Sequence, residues 1–163
     1  MIDHLSIWLK STKLASFVTF YPWVWPASET LHFIGLCLLF GVVLLVDFRM
    51  LGMMKGVPFA ALHRLIRWGI FGFIINFVSG VLFLVATPEQ YLHNITFYLK
   101  MLFILLAGLN VSVFYLTVFE QMERLEAGED APFKAKVVAA VSIFLWVGVM
   151  FFGRMLPYIG KQV

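Results

Sequence analysis

Charged side chains are scarce in this chain: only 13% of its 163 residues are Asp, Glu, Lys or Arg. A soluble domain carries about 25% charged residues, so this shortage excludes an ordinary soluble globular protein. Apolar residues make up 62% of the chain, and the mean hydropathy is +0.94. The sequence predicts an integral membrane protein with a single transmembrane domain over residues 1–163, because four spans of about 20 residues use most of the length.

The single cysteine, the small net charge and the lone Glu-x-x-His pair limit the possible functions further. The single cysteine, Cys37, has no partner for an internal disulfide, and the sequence therefore indicates nothing about the redox compartment. The net charge of +3 comes mainly from basic residues near predicted helix ends, so a nucleic-acid partner is excluded. Glu29 and His32 form a Glu-x-x-His pair without a second copy, which excludes a di-iron carboxylate centre.

Hydropathy predicts an all-α membrane protein, a four-helix transmembrane bundle with spans at about 28–47, 65–86, 95–119 and 137–157. Residues 1–20 lack the continuous apolar core and the cleavage site of a signal peptide. Their apolar residues recur near helical spacing, which predicts an amphipathic helix lying in the membrane interface. Residues 120–136 are strongly polar and predict a solvated loop.

The distribution of basic residues predicts the orientation. The loops after spans one and three, with their flanks, carry more basic residues than the opposite side. This bias predicts a protein of the bacterial inner membrane with both termini in the periplasm. The first group is Arg49, Lys55, Arg64, Arg67, Arg124, Lys134 and Lys136, and the second is Lys10, Lys13, Lys100, Arg154 and Lys161.

Four ionisable residues lie inside the predicted spans at about the same depth. They are Glu29 and His32 of span one, Lys100 of span three and Arg154 of span four. Ionisable side chains in hydrocarbon cost several kcal/mol unless they are paired or line a cavity, so they mark a functional site by default. The alternative is a purely structural role, in which Arg154 pairs with Glu29 and Lys100 extends to the membrane surface.

A b-type haem fits this pattern best. His32 would be an axial ligand, His93 a possible second ligand, and Gly35, one turn after His32, would leave space for the flat macrocycle. Lys100 and Arg154 would neutralise the propionates.

Two further residues complete the predicted site. Glu29, three residues before His32, would orient the imidazole or relay a proton. Asn76 belongs to a stripe of small and polar residues on span two that would line the haem or quinone cavity, or would simply hold neighbouring helices together. The predicted function is transfer of electrons between a membrane or periplasmic donor and a quinone.

Two other functions stay open. A transporter for copper or a small solute is suggested by Met50, Met53 and Met54, because thioethers bind Cu(I). A non-catalytic membrane subunit or anchor of a larger complex would need the helix stripes only for assembly. A homo-oligomer or a redox partner subunit is compatible with each of these functions.

Three short runs carry a resemblance to known proteins. They are Leu-His-Phe-Ile-Gly at 31–35, Asp-Phe-Arg-Met-Leu-Gly at 47–52 and Phe-Tyr-Leu-Lys-Met-Leu at 97–102. With them the chain resembles an uncharacterised bacterial four-span membrane family, and it is distantly similar to the HemJ and CopD groups. The HemJ resemblance implies haem binding with His32 and Lys100 as the matching positions, and the CopD resemblance implies copper handling with His32 carried over.

Overall fold

The computed structural model describes residues 2–159 as a bundle of helices, without a strand in that part of the chain. The helices are α1 Ile2–Lys10, α2 Lys13–Phe20, α3 Val24–Met50, α4 Phe59–His63, α5 Ile66–Ala86, α6 Pro88–Leu92, α7 Ile95–Thr117, α8 Phe119–Glu123 and α9 Phe133–Ile159. Helices α3, α7 and α9, and α5 together with α4, are long and apolar enough to cross a membrane. The predicted four-helix membrane bundle is confirmed, and the chain is a multi-pass membrane protein.

Two spans are longer than the hydropathy predicts. Helix α3 covers Val24–Met50 rather than 28–47, and α9 covers Phe133–Ile159 rather than 137–157. Pro26 lies in the first turn of α3, where a backbone N–H would have no intrahelical acceptor, so the missing N–H of proline costs no hydrogen bond. The predicted solvated loop at 120–136 is partly helical, because Phe119–Glu123 forms α8 and the start of α9 packs into the core through Ala135.

The four long helices pack as two pairs. Helix α3 lies along α5, α7 lies along α9, and the pairs meet chiefly where α3 contacts α9. Helices α5 and α7 hardly touch one another. The core between α3, α7 and α9 is built from Leu39, Ala107, Leu145, Trp146 and Val149.

The bundle has two ends, which we name after residues of α3. The His32 end holds the start of α3 and α7 together with α1, α2 and α6, and the Arg49 end holds α4, α8 and the loops at 51–58 and 124–132. The sequence predicts that Asp47 and Arg49 end span one at the headgroups. Helix α3 does end there, at Met50, and both side chains are buried within the protein, with exposed fractions of 5% and 0%.

Arg49 is buried because it holds the two loops of its end together. Its Nε donates to the Val57 carbonyl at 2.7 Å, and its Nη2 donates to the Glu126 carbonyl at 3.2 Å. On the surface of the same loops, hydrogen bonds from Lys136 and Lys55 lower the pKa of Asp130 to about 2. The loops at the Arg49 end are therefore fixed by charge-assisted hydrogen bonds as well as by apolar packing.

The amino-terminal segment forms two helices rather than the single amphipathic helix predicted. The Thr12 hydroxyl accepts from the Ala15 amide and caps α2, which separates it from α1. Helix α1 is tied to the α6 region by an ion pair of 2.6 Å between Lys10 and Glu89 and by a contact of 3.3 Å between the Asp3 carboxylate and His93 Nε2. Trp8, 62% exposed, stands among several large apolar side chains on the surface of these helices, as expected for a membrane interface.

Candidate functional site around His32 and Lys100

His32 is a half-buried side chain of α3 whose ring is held from α5. Its Nδ1 lies 2.8 Å from the Ser79 hydroxyl oxygen, and Ser79 is itself only 3% exposed. The same hydroxyl lies 2.7 Å from the Ile75 carbonyl, one turn earlier in α5. We assign the single hydroxyl hydrogen to that carbonyl, so the Ser79 oxygen accepts from Nδ1–H. This tautomer leaves the lone pair of His32 on Nε2.

The contact with Ser79 depends on how closely α3 and α5 approach. A Cβ atom on Gly35 would lie 2.5 Å from the Asn76 Nδ2 and 2.8 Å from the Gly72 carbonyl oxygen, and one on Gly72 would lie 2.6 Å from the Gly35 carbonyl oxygen. Only glycine fits at such a crossing. The sequence predicts that Gly35 leaves space for a macrocycle, whereas in the structure α5 occupies that space.

Asn76 takes part in the same crossing. Its Nδ2 donates to the Gly72 carbonyl of its own helix at 3.0 Å. Asn110, by contrast, donates to the Val138 carbonyl at 3.1 Å and so links α7 to α9 as interhelical glue.

Lys100 approaches His32 from α7. It is half-buried, and its charge is near enough to act on the His32 ring. Its stem passes Gly153 of α9, where a Cβ atom would lie 3.7 Å from the Lys100 Cε and Nζ. Within residues 2–159 the Lys100 ammonium has no carboxylate within ion-pair distance. The structure thus places a histidine of α3 and a cation of α7 at the same end of the bundle, where the charge of Lys100 acts on the His32 ring.

Glu29 lies at the exposed rim of this site rather than against His32. Its carboxylate accepts from the Trp25 indole nitrogen at 3.0 Å. Trp25 packs against Phe83, which in turn packs against the His32 ring. Burial raises the pKa of Tyr91 in α6, and the negative charge of Glu29 raises it further. Ser79, not Glu29, therefore orients His32.

The remaining predicted site residues have other neighbours. The Arg154 side chain is exposed, and its guanidinium carbon lies 5.5 Å from the centroid of the Tyr158 ring. His93 is about half exposed, with its Nε2 3.3 Å from Asp3. The predicted cluster of four ionisable side chains thus reduces to His32 and Lys100, with Glu29 at the rim.

The methionines do not form a common site. Met50 is buried in the core of the Arg49 end, whereas Met53 is 71% exposed. Across the described residues, 2–159, no group of three or more His, Cys, Asp or Glu side chains is arranged to hold a metal ion. Any metal at His32 would therefore have fewer than three such ligands from the described residues, as the iron of a haem can.

Ser79 is the member of this site that the sequence did not single out. It appears in the small-residue stripe of span two, three residues after Asn76. Its pairing with His32 depends on how α3 and α5 are rotated about their axes, which the stripe alone does not determine.

Comparison with known proteins gives one match, to a family. No curated protein and no solved structure matches the chain. The resemblance to the HemJ and CopD groups therefore stays a prediction, whereas the prediction of an uncharacterised family is confirmed. Residues 8–159 match the model of a family of unknown function (DUF6644), and the chain belongs to this family.

Proposed function

We propose that this protein is a membrane electron carrier that binds one b-type haem through His32. The observation that carries the proposal is the hydrogen bond between His32 Nδ1 and Ser79, because it leaves Nε2 free as a ligand. Ligating histidines are ordinarily held in this way through their second nitrogen, which fixes the ring and raises its basicity. A histidine with a purely structural role would not require an Nε2 lone pair without a hydrogen-bond partner.

The surroundings of His32 fit a haem in one further respect. Lys100 supplies a cation with no carboxylate partner among the described residues, which suits a propionate. Gly35 and Arg154 play no part in the proposal, because the first is covered by α5 and the second lies on Tyr158.

The iron would have one protein ligand. His93 is left out because its Nε2 faces Asp3 in the layer of α1 and α6. When bound, the haem supplies a reversible one-electron change at its iron. The chain contributes the ligand, the hydrogen bond that orients it and a cation that neutralises a propionate.

A quinone is the proposed electron acceptor. The protein itself would lie in the bacterial inner membrane with both termini in the periplasm. Quinones are lipid-soluble and would reach the protein directly from the bilayer. Reduction of a quinone to a quinol takes two electrons, delivered one at a time from the donor through the site, and two protons. Glu29 is exposed at the rim and is the carboxylate placed to pass those protons from water.

The first test is an absorption spectrum of the purified protein in detergent, oxidised and then reduced with dithionite, followed by a pyridine haemochrome assay. The proposal predicts a Soret band in the wild type and its loss in His32→Ala. His63→Ala is the matched control, because His63 lies at the other end and bonds to Tyr115. A colourless protein after expression with ample haem would overturn the haem proposal.

The second test addresses the electron acceptor. The protein is reduced, excess dithionite is removed, and the reduced protein is mixed with a short-chain quinone. Oxidation of the haem is followed by stopped-flow absorption. We expect oxidation in the wild type and slower oxidation in Glu29→Gln with an unchanged spectrum. A wild-type protein that keeps its haem reduced in the presence of quinone would refute the quinone step alone.

A further inference from the structure

Asp47 is a buried carboxyl at the Arg49 end, far from the proposed haem site. It is 5% exposed, and its Oδ2 has no hydrogen-bond partner. The polar side chain beside it is Ser142 of α9, which is itself 7% exposed. Fifteen residues separate His32 from Asp47, so the two sites lie about 22 Å apart along α3 at a rise of about 1.5 Å per residue.

Asp47 has no ion-pair partner in the described part of the chain. Arg49 donates from Nε and Nη2 to loop carbonyls, and its buried Nη1 has no hydrogen-bond partner. No basic group among residues 2–159 lies within ion-pair distance of Asp47. Of the helices packed against α3 at this end, α4 carries His63, which bonds to Tyr115, and α9 carries Lys136, which holds Asp130. The remaining basic groups there are exposed and are Arg67 of α5 and Lys134 of α9.

A carboxylate in this position would be a bare negative charge inside a membrane bundle. Proteins avoid that state by pairing the charge, by binding a cation or by neutralising the group with a proton. Pairing is absent within the described residues. A sodium ion needs several oxygen ligands, and the Ser142 hydroxyl beside the carboxyl supplies one. A proton needs just the free oxygen itself.

We propose that Asp47 is a proton-binding site of the membrane interior, loaded from the solvent at the Arg49 end. The proton bonds to Oδ2 and converts the carboxylate to a neutral acid, so no other reactant is consumed. This inference is independent of the haem, because it concerns the opposite end of the bundle. It gives the protein a place to take up a proton on the side of the membrane away from His32.

Labelling with dicyclohexylcarbodiimide tests the site in the full-length protein, in detergent and in lipid vesicles. This apolar reagent modifies carboxyls that are protonated in apolar surroundings, and mass spectrometry locates the adduct. We expect labelling of Asp47 at neutral pH and none at Glu29, which is exposed and serves as the internal control. Labelling should fall about tenfold for each pH unit above the midpoint of the site.

Two outcomes would overturn the proposal. An Asp47 that stays unlabelled in the folded protein would show that it carries no exchangeable proton. Protection of Asp47 by sodium chloride, but not by potassium or choline chloride, would replace the proton with a sodium ion.

An infrared measurement on the wild type and Asp47→Asn gives an independent readout. The neutral Asn mimics the protonated acid, so we expect a fold as stable as the wild type and loss of one carboxylic-acid C=O band. An unchanged infrared spectrum in that variant would contradict protonation. If the variant does not fold, labelling of the wild type still decides the question.

Discussion

Replacement of Gly72 by alanine tests the helix contact on which the site around His32 rests. The added Cβ would lie 2.6 Å from the Gly35 carbonyl oxygen and 2.8 Å from the Leu39 amide nitrogen. Both are backbone atoms of α3, so no side chain can rotate to make room. Helices α3 and α5 would have to move apart, which also separates Ser79 from His32.

The matched control lies on the same helix. A Cβ on Gly80 would have no neighbour within 4 Å, so Gly80→Ala adds a methyl group in open space. Both substitutions gain the same preference of alanine over glycine in a helix, about 1 kcal/mol. Overpacking costs about 1–3 kcal/mol, and contact with fixed backbone places G72A at the upper end. We therefore expect G72A to unfold with a free energy about 3 kcal/mol lower than that of G80A.

The assay is unfolding in mixed micelles of a mild detergent and dodecyl sulfate, followed by near-ultraviolet circular dichroism. The tryptophan environments of the folded bundle give the signal. Equal unfolding curves for G72A and G80A would refute the close crossing of α3 and α5. The orientation of His32 by Ser79 would then lose its structural basis.

Three further predictions concern other parts of the molecule and use the same assay. Arg49→Met should lower the free energy of unfolding by about 3 kcal/mol, because two loop carbonyls lose a charged donor, whereas the exposed Arg64→Met should change it by less than about 0.5 kcal/mol. Asn94→Ser should keep the cap on α7 but lose the bond to the Leu156 carbonyl, at a cost of about 1 kcal/mol, and Asn94→Ala, which loses both, should cost about 2 kcal/mol. Asp130 has its pKa lowered from 3.8 to about 2, so its contribution is complete above pH 3.8 and is lost as the pH falls through about 2. An unfolding profile in which Asp130→Asn loses as much stability as the wild type over that pH range would contradict this assignment.

The sequence predicts the helices better than their ends. Hydropathy locates four spans because an apolar stretch of about 20 residues is the length that a helix needs to cross the bilayer. It ends span one at Asp47 because two charges in sequence ordinarily mark the headgroups, whereas here folded loops bury Arg49 and extend α3 to Met50. That burial depends on contacts between residues far apart in the chain, which hydropathy does not describe.

The candidate site was predictable in part for a similar reason. His32 and Lys100 come together as their depths suggest, since the helix rise sets depth directly. Which way each side chain points depends on helix rotation and on local partners. Arg154 lies over Tyr158, His93 meets Asp3, and neither neighbour could be inferred from the spacing of the site residues.

The most direct test of the central proposal is the haem content per chain of four purified proteins, measured by pyridine haemochrome assay. They are the wild type, His32→Ala, His93→Ala and His63→Ala. One haem per chain in the wild type and in both control variants, with none in His32→Ala, is the predicted result. Haem that persists in His32→Ala, or that is absent from the wild type, would contradict the assignment of His32 as the ligand.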